Sequence, residues 1–214
     1  MLSGTDRKLE VSRLIRERYS AAGRSENEPV LESAGQFLKI AMSPKTPTHT
    51  ILTEVAKMIH HSFEFQYVSI AIKDPTDDKF RYAVAIGLTP SAEAAYKEIR
   101  YSIGDLFDES SFPSTKVSAY THFYMSEDSP YRPGEEKSYS RPNQLSIARP
   151  SPDDMIEGDY IDVFMQGYVR DIMGYIELAG TRNGKLPSKT TIRWIEFIAS
   201  LISTIETYKG GMKV

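Results

Sequence analysis

The chain has 214 residues, 40% hydrophobic and 26% charged, with a formal charge of -3 and an isoelectric point near 5.9. That balance suits one sizeable buried core and argues against a broad nucleic-acid-binding surface. With no cysteine, disulfides, thiolate metal ligands and cysteine nucleophiles are excluded, which is compatible with a cytoplasmic protein. No apolar run approaches the ~20 residues that span a bilayer, and the first residues lack the apolar centre of a secretory signal.

Taken in order, residues 6–22 carry a narrow apolar stripe of Val11, Leu14, Ile15, Tyr19 and Ala22. Such a stripe suits pairing with another helix, or a leader helix that packs back on its own domain. Gly23 to Pro29 breaks the pattern and reads as a linker. A helix over about 29–42 follows, then a second over about 47–63 with Leu52, Val55, Ala56, Ile59 and Phe63 at core spacing. Thr46 is the expected N-cap and Pro47 the first helical residue of that second helix.

The period then changes from helical to extended. Residues 67–73 and 80–87 read as two strands joined by the polar turn Asp74 to Lys79. Thr89 and Pro90 open a short helix to about residue 98, and Ile99 to Ile103 reads as a third strand. From Asp105 to about Gly158 the order weakens, with six prolines and many Ser and Tyr. A stretch of that length inside a compact domain points to a functional or mobile loop. Within it, residues 116–125 read as one short strand or helix. The chain closes with strands over 160–167 and 172–179, a connection at Tyr168 to Asp171, and a helix over 188–208 capped by Ser188. Gly174 lies in mid-strand, where a missing side chain marks a bulge or the close approach of another backbone.

The order predicts an α+β domain. A central, largely antiparallel sheet of five to six strands carries the terminal helices on one face and the long loop region on the other. The expected organisation is residues 1–28 as helix and linker, 29–208 as the domain and 209–214 as a tail.

This order and spacing resemble a GAF domain, a sensory module related to PAS domains, over residues 29–208. The resemblance is carried by Val68-Ser69-Ile70-Ala71-Ile72, by Phe80 to Gly87, and above all by Ile172-Met173-Gly174-Tyr175-Ile176-Glu177-Leu178 before a polar turn and a long helix. PAS is the alternative fold, and the two leading helices and the long closing helix favour GAF. The resemblance implies helices that mediate dimers on one sheet face and a small-molecule pocket roofed by loops on the other, here 105–158. Methionine sulfoxide reduction and cysteine-linked bilin attachment, both found in such domains, are excluded by the lack of cysteine. The Asn-Lys-Phe…Asp-Glu signature of cyclic-nucleotide-binding members is absent.

The candidate ligand-binding residues are Tyr101, Tyr120, His122, Tyr124 and Arg132. Amphipathic rings over a cavity stack on a flat ligand while hydroxyls orient it, and a loop arginine binds an anionic group. The competing reading is that the tyrosines simply cover the open sheet face. His122 is a pocket residue, a haem or metal ligand, or a plain loop histidine. His49 and His60 lie ~16 Å apart along one helix and share no metal; with His61 they read as solvated. The acidic residues Asp105, Asp108, Glu109, Asp153, Asp154, Glu157 and Asp159 match no Ca²⁺ loop. No phosphate-binding, dinucleotide, zinc-protease or nucleophile-elbow motif occurs. The functional expectation is a non-enzymatic regulatory domain with no catalytic residue, no metal and an undefined cofactor. It would bind an unidentified small molecule under 105–158 and signal through its terminal helices in a homodimer. The alternatives are a ligand-free module serving dimerisation or protein interaction, and a haem- or metal-dependent sensor or enzyme using His122.

Overall fold

The computed structural model describes residues 13, 28–43, 45–128, 131–167 and 171–208. The expected helix 6–22, most of the connection 168–171 and the tail 209–214 lie outside them. The chain divides after Gln36 into two compact units. In the first, the described residues beyond Arg13 begin helix α1 (Glu28–Ala41).

In the second unit, α1 ends and α2 (Thr48–Ser62) leads into the hairpin β1 (Phe65–Lys73) and β2 (Phe80–Ile86). Helix α3 (Pro90–Glu98) follows, then the single-turn helix α4 (Ile103–Leu106) and the short strands β3 (Thr115–Lys116) and β4 (Thr121–Tyr124). The hairpin β5 (Tyr160–Gln166) and β6 (Ile172–Thr181) precedes the closing helix α5 (Lys189–Tyr208). Among the described residues six strands form one sheet in the order β2-β1-β6-β5-β4-β3, and every pairing is antiparallel.

Strict alternation sorts each strand's side chains between two faces. Val68, Ile70 and Ile72 of β1, Ile161, Val163 and Met165 of β5, and Ile176 and Leu178 of β6 build the main core. They meet Ile51, Leu52, Val55 and Ile59 of α2 and Ile192, Ile195, Ile198 and Ile202 of α5. The opposite face carries a smaller cluster of Ala71, Phe80, Tyr82, Phe164 and Tyr175 beneath Leu106, Tyr96 and Ile99 of the roof. A register shift between Ile70 and Ala71 on β1 lets Val84 face the helices and Tyr82 the roof within one strand.

Gly174 sits beside a second register shift, where Met165 pairs with Gly174 and Gln166 with Ile172. A Cβ on Gly174 would come within 2.3 Å of the Ala71 carbonyl oxygen, so the missing side chain lets β1 and β6 close together. Gly87, with φ of 90°, ends β2 where a Cβ would lie 1.9 Å from the Gln66 carbonyl oxygen.

Three local expectations change. Ile99 to Ile103 is not a strand. Tyr101 makes one isolated bridge to Phe80, and Ser102 then caps α4 in a reciprocal capping box with Asp105. The sixth strand comes instead from the segment 105–158, which contributes both β3 and β4. Helix α2 begins at Thr48 after Pro47, with no side-chain cap at that end, so Thr46 does not take that role. On α5 Glu196 and Ser203 face inward: both are buried. Glu196 accepts hydrogen bonds from Thr121 at 2.8 Å and from Ser118, and Ser203 donates to the Ala199 carbonyl. Ser188 does cap α5, accepting from the Thr191 amide at 3.1 Å.

Candidate ligand-binding site

Between the sheet's outer face and residues 88–159 lies a cavity of about 50 Å³, room for a few waters and well short of a haem. Nine of the chain's thirteen tyrosines line it. Tyr67, Tyr82, Tyr160 and Tyr175 rise from the sheet floor with Tyr124 of β4; Tyr96, Tyr101, Tyr131 and Tyr139 descend from the roof. The rings pack edge to face or stacked: Tyr82 lies 4.6 Å from Tyr96, and Tyr124 stacks on Tyr160 at 4.4 Å.

Two carboxylates stand in the floor. Asp162 on β5 and Glu177 on β6 are directly opposed in the ladder, so they share a face at ~5 Å, and both are buried. Glu177 is well held. Tyr82 donates to its Oε2 at 2.5 Å and Tyr96 donates to its Oε1. Burial pushes the Glu177 carboxyl above its ordinary value, and those two phenols pull it back. Asp162 has no such donors; its Oδ1 is buried without a hydrogen-bond partner. Burial, reinforced by the Glu177 charge, drives the Asp162 carboxyl well above the ordinary carboxylate range. A proton shared by the pair therefore rests on Asp162. The Tyr175 hydroxyl likewise finds no partner of normal geometry. Burial raises the phenols of Tyr82, Tyr96 and Tyr175 well above their usual value, so all stay protonated.

The roof is pinned by ion pairs at its rim. Arg149 bridges Asp159 at 2.8 Å and Glu127 at 2.7 Å, and Asp159 also accepts the Ser126 and Ile156 amides. Arg141 bridges Glu157 at 2.9 Å. Glu135 accepts from Tyr101 at 3.0 Å and from the Arg132 amide at 2.8 Å.

Of the residues singled out in the sequence, Tyr101 and Tyr124 line the cavity together. Tyr120 is exposed at the start of β4. Arg132 pairs with Asp105, its guanidinium lying over the Tyr101 and Phe112 rings rather than opening into the cavity. His122 is opposed to Asp162 in the ladder, but its ring packs against Phe107 and Phe164 with Nδ1 3.2 Å from the Ser114 hydroxyl. Burial lowers its pKa. Among the described residues no group of three His, Asp or Glu side chains could hold a metal. His60 is half-buried rather than solvated, with Arg182 3.4 Å from its Nε2.

Asp162 and Glu177 are the pair that sequence reading passes over. Their signal is present as Tyr160-Asp162-Phe164 and Tyr175-Glu177, polar and aromatic residues alternating with Ile, Val and Leu in two strands. That alternation also describes a solvated outer face, and only the roof turns it into an interior.

No family model and no curated protein matches the sequence. Solved structures do. The GAF domain of an Acinetobacter phosphoenolpyruvate-protein phosphotransferase superposes with a TM-score of 0.53 at 12% identity, over 84% of this chain and 93% of that one. A GAF domain/HD domain protein from Geobacter sulfurreducens gives 0.55 at 12% identity, over 78% and 96%. A bacteriophytochrome from the photosynthetic bacterium R. palustris gives 0.53 at 12% identity, over 88% of this chain and 38% of that longer one. The antiparallel six-stranded sheet, with helices on one face and a roofed cavity on the other, is the GAF fold.

Proposed function

We propose that this chain is a non-catalytic regulatory domain that senses a small molecule in the tyrosine-lined cavity and signals through its terminal helices in a cytoplasmic homodimer. The observation that carries the reading is the cavity itself, set between sheet and roof with buried polar atoms left unpaired. Proteins with similar structures include a methyl-accepting chemotaxis protein and a bacteriophytochrome, both signalling proteins by name. A physical link from cavity to output exists: Glu196 on α5 accepts from Thr121, the first residue of the strand that carries Tyr124 into the cavity. A ligand that shifts β4 would thus bias α5 by population shift. Phe197, 48% exposed on α5, offers an apolar contact for a partner helix.

The small size of the cavity favours a second reading, a ligand-free module whose tyrosines fill the space and which serves only assembly. One experiment separates the two. Light scattering on the purified chain reports the dimer, and a thermal-shift screen of small metabolites reports the cavity. A sensor gives saturable stabilisation by at least one compound, and a change in dimerisation with it. A dimer indifferent to every compound supports the second reading.

A further inference from the structure

We propose that the cavity takes a small organic monocation, a protonated amine whose ammonium group lies against Asp162 and Glu177 among the tyrosine rings. This rests on the reading of the cavity as a ligand site and names the class of that ligand.

The lining carries five carboxylates and no Lys, Arg or His. Two of the five, Glu157 and Asp159, are already matched at the rim by Arg141 and Arg149. Among the described residues no Lys or Arg pairs with the inner two, and burial disfavours a charge on His122, which is opposed to Asp162 on β4. Asp162 and Glu177 face one another across two hydrogen-bonded strands, and among the described residues the only donors on them are phenols from Tyr82 and Tyr96, both to Glu177. The Asp162 Oδ1, in a residue 3% exposed, is left with nothing. An unpaired buried acceptor is costly, and an N–H from a ligand removes that cost while its positive charge takes the place of the proton the pair otherwise holds. The surrounding walls are aromatic faces, which attract an alkylammonium by their quadrupoles. Anionic metabolites meet the wrong charge throughout.

A bare divalent cation fits less well. It demands six or more hard oxygen donors, and no metal-competent group of three side chains exists among the described residues. The cavity's 50 Å³ sets the scale at a few heavy atoms, with larger amines requiring the roof to move.

The test is calorimetric titration of the full 214-residue chain with methylammonium, trimethylammonium and guanidinium chlorides, beside sodium acetate and acetamide at equal ionic strength. At least one of the cations should bind saturably and raise the melting temperature, and acetate and acetamide should not. D162N, which retains the shape of the side chain, should weaken that binding at least ~10-fold with its far-ultraviolet circular dichroism unchanged. E93Q, altering an exposed ion pair with Lys97 on α3, should bind as the parent does. Binding of acetate or acetamide in the cavity would uphold a ligand site and overturn its cationic class. Binding of the cations unchanged in D162N would overturn the assignment to this pair. Failure of every probe, charged or neutral, would count against the ligand-site reading itself.

Discussion

Replacing Asp162 with asparagine should stabilise the protein, and by an amount that grows with pH. Asp162 and Glu177 are opposed across β5 and β6. With both ionised at ~5 Å, their repulsion is roughly 3 kcal/mol at an effective dielectric constant near 20. The fold avoids this by keeping the Asp162 proton, so its pKa lies well above 3.8 for burial and for the Glu177 charge beside it. Around the pair stand Tyr82 from β2, Tyr96 from α3, Tyr124 from β4 and Glu135 from the roof, with His122 opposed to Asp162 on β4 and held toward its neutral form by burial.

The unfolded chain loses that proton near 3.8 while the folded chain retains it, so the folded state binds one more proton above that pH. The stability associated with Asp162 is therefore complete below 3.8 and declines as pH rises toward the folded value. The slope is about 1.4 kcal/mol per pH unit for one proton. Between 3.8 and that raised folded value the parent should lose stability relative to D162N steadily as pH rises. Urea unfolding of both proteins at several pH values, followed by Trp194 fluorescence and circular dichroism, measures the difference directly. Taking the difference cancels every carboxylate that does not interact with Asp162, leaving that residue and its neighbour Glu177. A gap between parent and variant that stays constant across the window would show that Asp162 titrates like an exposed aspartate, and the buried-pair argument would be wrong.

Glu196 should show the opposite sign. Burial pushes its carboxyl up, but hydrogen bonds from Ser118, Thr121 and Arg193 outweigh that and hold it below 4.5. Its stabilisation is present above 4.5 and is lost as pH falls through the folded value, so E196Q should cost about 1–2 kcal/mol at neutral pH and little in acid, as read by the same urea titrations. At Gly174, G174A places a methyl group within 2.3 Å of a backbone oxygen and 2.5 Å of the Met165 methyl. It should lower the urea midpoint by the equivalent of about 2 kcal/mol, and a midpoint within error of the parent would mean that the β1–β6 spacing is slack.

Much of the fold was legible because it rests on local pattern. Alternation in 67–73, 80–87, 160–167 and 172–179 and Ser188 as a cap are all short-range signals, and the structure follows them. The misreadings have local causes too. The apolar residues of 99–103 suggest a strand, but Ser102 and Asp105 three residues apart form a capping box, and that signal was available. The stretch 116–125, read as one short strand or helix, holds β4 whole and the end of β3, strands of four and two residues that alternation is too short to separate. They exist because β5 offers an open edge to β4. The candidate site was half legible. A tyrosine-rich roof over the sheet could be anticipated from composition. Which tyrosines point inward depends on where the roof crosses the floor, and that is set by contacts distant in sequence, such as Arg149 to Asp159 and Arg141 to Glu157. Asp162 meets Glu177 only through the register of a hairpin whose irregularity at Met165 and Gln166 is invisible to a simple period-two reading.

The strand order separates the parts of this molecule that must be kept from the parts free to vary. Because β6 lies beside β1 at the middle of the sheet, pairing of the first and last long strands closes residues 74–171 into one loop, and the sheet can assemble only once β6 has been made. Such non-local pairing makes for slow folding. It also makes the closed segment tolerant, since each doubling of a loop's length adds only about 0.6 kcal/mol of closure entropy. Insertions, deletions and wholesale exchange of the roof should therefore burden the sheet little so long as the arginine clasps at its rim survive. A lineage, or a designer, can replace what the cavity recognises without renegotiating how the chain folds.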